Sequence, residues 1–178
     1  MKKTVSRPQV VVRSLSKRAT RGRLVFGNVT FSCVMGRGGR SATKREGDGV
    51  TPMGRWPIRG LLFRPDRSRR PRTALGVRAL KVADGWCDAA GDRNYNRPVR
   101  HPYPASAERM WRDDELYDLV LVLGYNLRPR VQGRGSAIFL HIARPGFEPT
   151  AGCIALTPKD VKRMIALVRP GDVVRTDL

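Results

Sequence analysis

Histidine is the scarcest chemistry-bearing residue in this 178-residue chain, which holds only His101 and His141. Any reaction that needs an imidazole has to use one of them. Cysteine is nearly as sparse, with Cys33, Cys87 and Cys153. None stands in a C-x-x-C pair and the number is odd, so neither a zinc site nor a disulfide framework is indicated; a single Cys33–Cys87 bridge is left open. Long apolar runs are missing as well. After a basic start at residues 1–8, the stretch 10–12 is three residues long and Arg13 ends it, so no signal peptide and no membrane helix is visible. Acidic residues are few: 15 face 35 Lys and Arg, for a net charge of +20. The excess lies at the front, +16 over residues 1–75 (19 basic, 3 acidic) and +4 over 76–178 (16 basic, 12 acidic). Such a field favours an anionic partner or a polyanionic matrix. The basic residues are dispersed through strand-like segments (Arg13, Lys17, Arg18, Arg21, Arg23), with no zinc-finger, leucine-zipper or RNA-recognition pattern, so nucleic acid is not the expected partner.

What is present is the composition of one soluble domain spanning residues 1–178, with 40% hydrophobic and 28% charged residues. Alternating β-branched segments at 9–13, 22–26 and 29–34, with Gly27-Asn28 between the last two, read as an antiparallel meander with a two-residue hairpin turn. Residues 41–60, turn-rich with Gly47, Gly49, Gly54 and Pro52, read as a fixed, folded loop leading into a strand. The Arg- and Pro-rich segment 63–72 reads as a solvated loop. Residues 84–104 hold few aliphatics but Trp86, Asp88, Tyr95, Asn96, Arg97 and His101, the composition of an ordered lid. The lid or capping segment is expected to span 84–115, with a short capped helix starting at Ser106. Residues 117–126 and 137–141 read as the two most buried strands. Thr157 as N-cap, Pro158 at the first helical position and Asp160 in the first turn start a helix that runs through Val161, Ile165 and Val168 and stops at Pro170-Gly171. A strand at 172–175 closes the domain.

Two of these elements carry chemistry. An apolar strand delivers His141, a Pro/Gly loop turns the chain, and twelve positions on Cys153 follows Gly152. A thiol, with an ordinary pKa of about 8.5, needs an imidazole or another positive neighbour to supply thiolate at neutral pH. His141 is the only imidazole near Cys153 in sequence. Gly152 lets the backbone approach closely and aim N–H groups at a developing oxyanion. The grouping reads as acyl transfer through a thiol nucleophile.

With these residues in view, the chain resembles the L,D-transpeptidase catalytic domain, the YkuD-like family of bacterial cell-wall enzymes. The resemblance rests on His141, on Thr150-Ala151-Gly152-Cys153, on residues 46–54 with the pattern Glu-Gly-Asp-Gly-x-Thr-Pro-x-Gly, on residues 86–96 and on 107–126. It implies a mainly β fold, a sandwich of two mixed sheets with one or two peripheral helices. It implies a Cys153 thiolate that attacks a peptide carbonyl beside meso-diaminopimelate in a peptidoglycan stem, and an amine of a second stem that resolves the thioester. His141 would be base and then acid, oriented by a backbone carbonyl, and N–H groups of Gly152, Cys153 and Ala151 would form the oxyanion hole. No metal or cofactor is implied, the partner is the stem peptide, a monomer is expected, and the address is the periplasm or cell wall. Ala151 stands in place of the family's second histidine, and Ala155 stands where Asn or Arg commonly follows the cysteine. Arg144 or Arg97 could then grip the substrate carboxylate, with Thr150, Tyr95, Asn96, Trp86, Asp88 and His101 as further substrate contacts. These departures are compatible with a crosslink through the first stem residue instead of the third, or with hydrolysis by an L,D-carboxypeptidase or amidase. A wall-binding module with a decayed site is the rival from another class.

Overall fold

The computed structural model describes residues 9–177; the basic start at 1–8, where no export signal was read, lies outside them. The apolar alternation near the front forms β1 (Val10–Arg13), β2 (Arg21–Phe26) and β3 (Val29–Val34), an antiparallel meander whose hairpin turn has Gly27 at φ 59°. Two short strands, β4 (Arg40–Ser41) and β5 (Thr51–Pro52), pair in parallel and brace the glycine-rich loop between them. Then come β6 (Arg55–Phe63), β7 (Val77–Ala79), β8 (Asp84–Cys87), β9 (Pro98–Arg100) and β10 (Ala107–Arg109). They are followed by β11 (Leu119–Leu123), β12 (Phe139–Ile142), β13 (Ile154–Leu156), α1 (Pro158–Leu167) and β14 (Val173–Arg175). Thr157 caps α1 as expected, its hydroxyl accepting from the Asp160 N–H at 3.1 Å.

The fold is mainly β, but the main sheet closes instead of splitting into the two layers of a sandwich. Its strands run β11, β12, β13, β3, β2, β1, β14, β6 and back to β11, with β7 added at β6. The reason lies in β6. Its first three residues pair with β14, and its remainder, from Ile58 to Phe63, pairs with β11, so one nine-residue strand joins what would be two sheets. Closure leaves fewer bare backbone edges than two open sheets would. Inside the ring Leu24, Phe26, Leu121, Leu140, Ile154 and Leu156 pack together, and α1 adds Val161, Met164, Ile165 and Val168 to the same core.

A second apolar cluster lies on the outside of β11 and β12. Val120, Val122, Phe139 and Cys153 pack there against Trp86, Met110, Leu116 and Tyr117. Trp86 lies on β8 and Met110 directly after β10 of a three-stranded antiparallel sheet ordered β10-β8-β9, so the segment 84–115 carries a small sheet laid on the outer wall of the ring. The helix expected after Ser106 is absent: residues 107–109 are β10, with Glu108 opposite Trp86. A two-turn helix is marginal by itself, and here β8 offers a free edge while Met110 enters the apolar cluster. Among the described residues α1 is the single α-helix.

The segment 63–72 is not wholly solvated either. Arg64 is buried, bidentate to Asp66 at 2.8 Å for each bond, bonded to the Arg112 carbonyl, and stacked 3.8 Å over Trp111. The three cysteines are free. Cys33 faces the interior of the ring and Cys87 lies in the small sheet, so the bridge left open by the sequence does not form.

Candidate active site

Strands β12 and β13 run parallel, with Leu140 opposite Ile154 and His141 opposite Ala155. Alternate residues of a strand share a face, so Leu140 and Ile154 enter the core while His141, two residues beyond Phe139, points outward with Cys153. The strand register thus brings the histidine and the cysteine onto one surface. Ala155, two residues after the cysteine, lies beside His141 in that register.

The Cys153 thiol is held at both ends. Sγ accepts from the Phe139 N–H at 3.3 Å and donates to the Ala137 carbonyl at 3.2 Å. His141 Nδ1 lies 2.8 Å from the Ile142 carbonyl, a contact that requires the proton on Nδ1 and leaves Nε2 as the basic nitrogen. A backbone carbonyl therefore orients the ring, as expected. The Tyr117 ring packs edge-on against it, with centroids 5.2 Å apart. Burial pushes the Cys153 thiol up to about 12, with Glu108 adding to the effect, and burial lowers His141 to about 4. Both shifts favour the neutral forms, thiol and imidazole.

The turn before Cys153 is built by Thr150. Its hydroxyl donates to the Cys153 carbonyl at 2.6 Å and accepts from the Gly152 N–H at 3.1 Å. Gly152 has φ 137°, and a Cβ there would lie 2.8 Å from the Val50 carbonyl oxygen, so glycine is required on both counts. Beneath it the 44–50 loop is folded around Asp48, which takes Lys44 Nζ at 2.8 Å and the N–H groups of Arg45 and Val50 at 2.6 and 2.9 Å. Burial alone would raise the Asp48 carboxyl, but these donors outweigh it and hold it below its ordinary value. The three-glycine loop is fixed, as the sequence suggested.

A cavity of about 480 Å³ opens over the pair. Of the residues singled out in the sequence, Cys153, His141, Ala151, Thr150, Arg144 and Asp88 lie on its wall. The others do not. Trp86 is buried beneath it, edge-on to Phe139 with centroids 5.1 Å apart. Tyr95 is buried and donates to Glu46 at 2.5 Å. Asn96 is buried and accepts from Trp86 Nε1 at 2.9 Å and from the Ala137 N–H at 3.0 Å. Arg97 is exposed and off the wall, and His101 packs beside Gly85 across the small sheet. Wall residues that sequence reasoning did not single out as site residues include Arg37, Glu46, Glu108, Arg112, Tyr117, Ser136 and Glu148. A strand reading of 107–109 would have turned Glu108 to the Trp86 side; the helix reading hid it.

Among the described residues no group of three His, Cys, Asp or Glu side chains is placed to hold a metal ion, and no helix is long and apolar enough to cross a membrane. Neither the curated proteins nor the solved structures yield a match to the chain. A family model does: residues 8–175 match the L,D-transpeptidase catalytic domain. With a match over almost its whole length, and with a thiol and an imidazole sharing one outward face of adjacent strands, the chain belongs to the YkuD family of L,D-transpeptidase catalytic domains.

Proposed function

We propose that this chain is a cysteine L,D-transpeptidase that acts on diaminopimelate-containing peptidoglycan stems, with Cys153 as nucleophile and His141 as base. The observation that carries the reading is the placement of both side chains, by the β12–β13 register, on the wall of one cavity. Nε2 of His141 takes the thiol proton as Sγ attacks the donor carbonyl carbon. The C–S bond forms, the C–N bond breaks, and the departing amine leaves with the proton from His141. The amine of a second stem then attacks the thioester, yields a proton to His141, and expels the thiolate, which is reprotonated.

With burial pushing the Cys153 thiol up and His141 down, proton transfer between them is best coupled to attack on a seated substrate, whose developing oxyanion the backbone N–H groups stabilise. The oxyanion falls to the N–H groups of Cys153 and Ala151; that of Gly152 already donates to Thr150, so it would have to be shared. Arg144, half exposed at the cavity wall, is the cation for a substrate carboxylate. The small sheet of residues 84–115 serves as the lid of a single, monomeric domain. The site of action is the cell wall or periplasm. Crosslinking through the first stem residue accommodates the alanines at 151 and 155.

The test is incubation of the wild type and Cys153→Ala with purified muropeptides, followed by mass spectrometry of protein and products. Dimers and a thioester adduct in the wild type alone are expected, and the position of the new bond names the crosslink. Trimmed monomers without dimers would make the enzyme a hydrolase, and neither adduct nor product would overturn the catalytic reading.

A further inference from the structure

The cavity holds an acidic cluster in a strongly basic chain. With net charge +20, the chain sets Glu46, Asp88 and Glu108 in a lining that also carries Glu148 and the cations Arg37, Arg112 and Arg144. Glu46, Asp88 and Glu108 arrive from three places: the glycine-rich loop, the residue after β8, and β10. None of the three lies within ion-pair distance of a Lys or Arg among the described residues; the nearby Arg112 is bidentate to Asp114 at 2.8 and 2.7 Å. Glu46 and Glu108 each accept one tyrosine hydroxyl at 2.5 Å, from Tyr95 and Tyr117. Asp88 Oδ1 is sealed from solvent without a partner, and so is the hydroxyl of Ser136, a residue 6% exposed on the same wall. Buried acceptors are normally satisfied, so two unsatisfied ones on one wall point to a donor that comes from outside.

We infer that Asp88, Glu108 and Ser136 form the subsite for the primary ammonium group of the acyl acceptor. This rests on the acyl-transfer reading above. An ammonium carries three N–H donors and one positive charge, matching two carboxylates and a hydroxyl. Asp88 and Glu108 belong to no group of three His, Cys, Asp or Glu side chains placed to hold a metal ion among the described residues. Burial pushes the Glu108 carboxyl up; Tyr117 and Arg112 oppose this, and Asp88 and Glu46 add to it, so an incoming cation relieves a repulsion already in place. Glu108 also bears on the Cys153 thiol, so this carboxylate acts on the reacting sulfur. Of the two reactants, the acceptor is the one whose reacting group is cationic before it reacts. Held there, it loses one proton through His141 to solvent and the free amine attacks the thioester; the second proton passes by way of His141 to the departing thiolate. Water has no charge to be held by, so the subsite favours transfer over hydrolysis.

The test uses Cys153→Ala, which binds without turnover. Its calorimetric affinity is compared for a diaminopimelate-bearing tripeptide and for the same peptide acetylated on the side-chain amine. The expected result is a loss of about tenfold or more on acetylation, the scale of a charge-assisted contact, and disappearance of that preference in Asp88→Asn. Equal affinity for the two peptides would overturn the subsite, as would a preference that survives Asp88→Asn. In the active chain, Asp88→Asn and Ser136→Ala should raise the acceptor KM and shift products towards hydrolysis, with a larger effect on the acceptor step than on thioester formation. A matching fall in thioester formation would make this wall a donor contact instead. Failure of the wild type to form any thioester would sink the transpeptidase reading, while the calorimetric comparison would still decide the subsite.

Discussion

The carbonyl of Ala137 accepts the hydrogen bond of the Cys153 thiol at 3.2 Å, and Ala137 itself sits in the left-handed region at φ 51°. An alanine pays for that conformation unless its surroundings hold it there. Asn96 holds it: Oδ1 accepts the Ala137 N–H and Trp86 Nε1, while Nδ2 donates to the Tyr125 and Asn126 carbonyls at 3.1 and 2.8 Å. The residue between β8 and β9 that looked like a substrate contact in sequence thus sets the nucleophile's partner.

Asn96→Ala should therefore destabilise the protein by about 3 kcal/mol, because it strands buried donors and acceptors on several chain segments. Urea denaturation measures it. A loss under about 1 kcal/mol would show that the network is not what holds Ala137.

Gly152→Ala should be inactive and less stable by about 2 kcal/mol, since its Cβ would press on the Val50 carbonyl at 2.8 Å and φ 137° is strained for any L side chain. Thioester formation and thermal unfolding are measured together. Normal acylation in a folded Gly152→Ala protein would refute the close approach.

Thr150→Val removes the hydroxyl that ties Gly152 to Cys153, and acylation should fall at least about tenfold, with Thr150→Ser retaining most of it. Equal losses in the two variants would place the effect in the methyl group and not in the hydrogen bonds.

The preference of His141 and Cys153 for their neutral forms has a pH signature. His141 lies near 4 in the folded chain against an ordinary 6.5, so below 6.5 the unfolded state binds the proton first. The stability from neutral His141 is full above pH 6.5 and is lost as pH falls towards 4, about 3 kcal/mol in all. Urea melts across that window should show a wild-type slope that His141→Asn lacks; parallel curves would mean the imidazole is not buried neutral. For Cys153, raised to about 12 from 9.0, the contribution is present below pH 9 and is lost as pH rises. Iodoacetamide should accordingly label Cys153 at pH 8 more than about tenfold slower than it labels the denatured chain.

Several elements were legible because their signals are local. The turn at Gly27-Asn28, the cap Thr157-Pro158-x-Asp160 and the apolar run of β11 each depend on residues within one turn or strand, and each formed where it was read. The 106–111 segment failed for the opposite reason. Its helical composition was weak, and a free edge on β8 outweighed it.

The sequence by itself determined the family, the Gly152-Cys153 turn, and the pairing of the chain's one well-placed histidine with the thiol twelve residues on, because those features lie within a dozen residues of each other. The tertiary structure alone decided that the main sheet closes through β6, and that Tyr95 and Asn96 are scaffold while Glu108 and Ser136 reach the wall. Those outcomes depend on which strands find each other across long stretches of chain, and pairing of that kind is settled by shared burial and open edges, which no local pattern encodes.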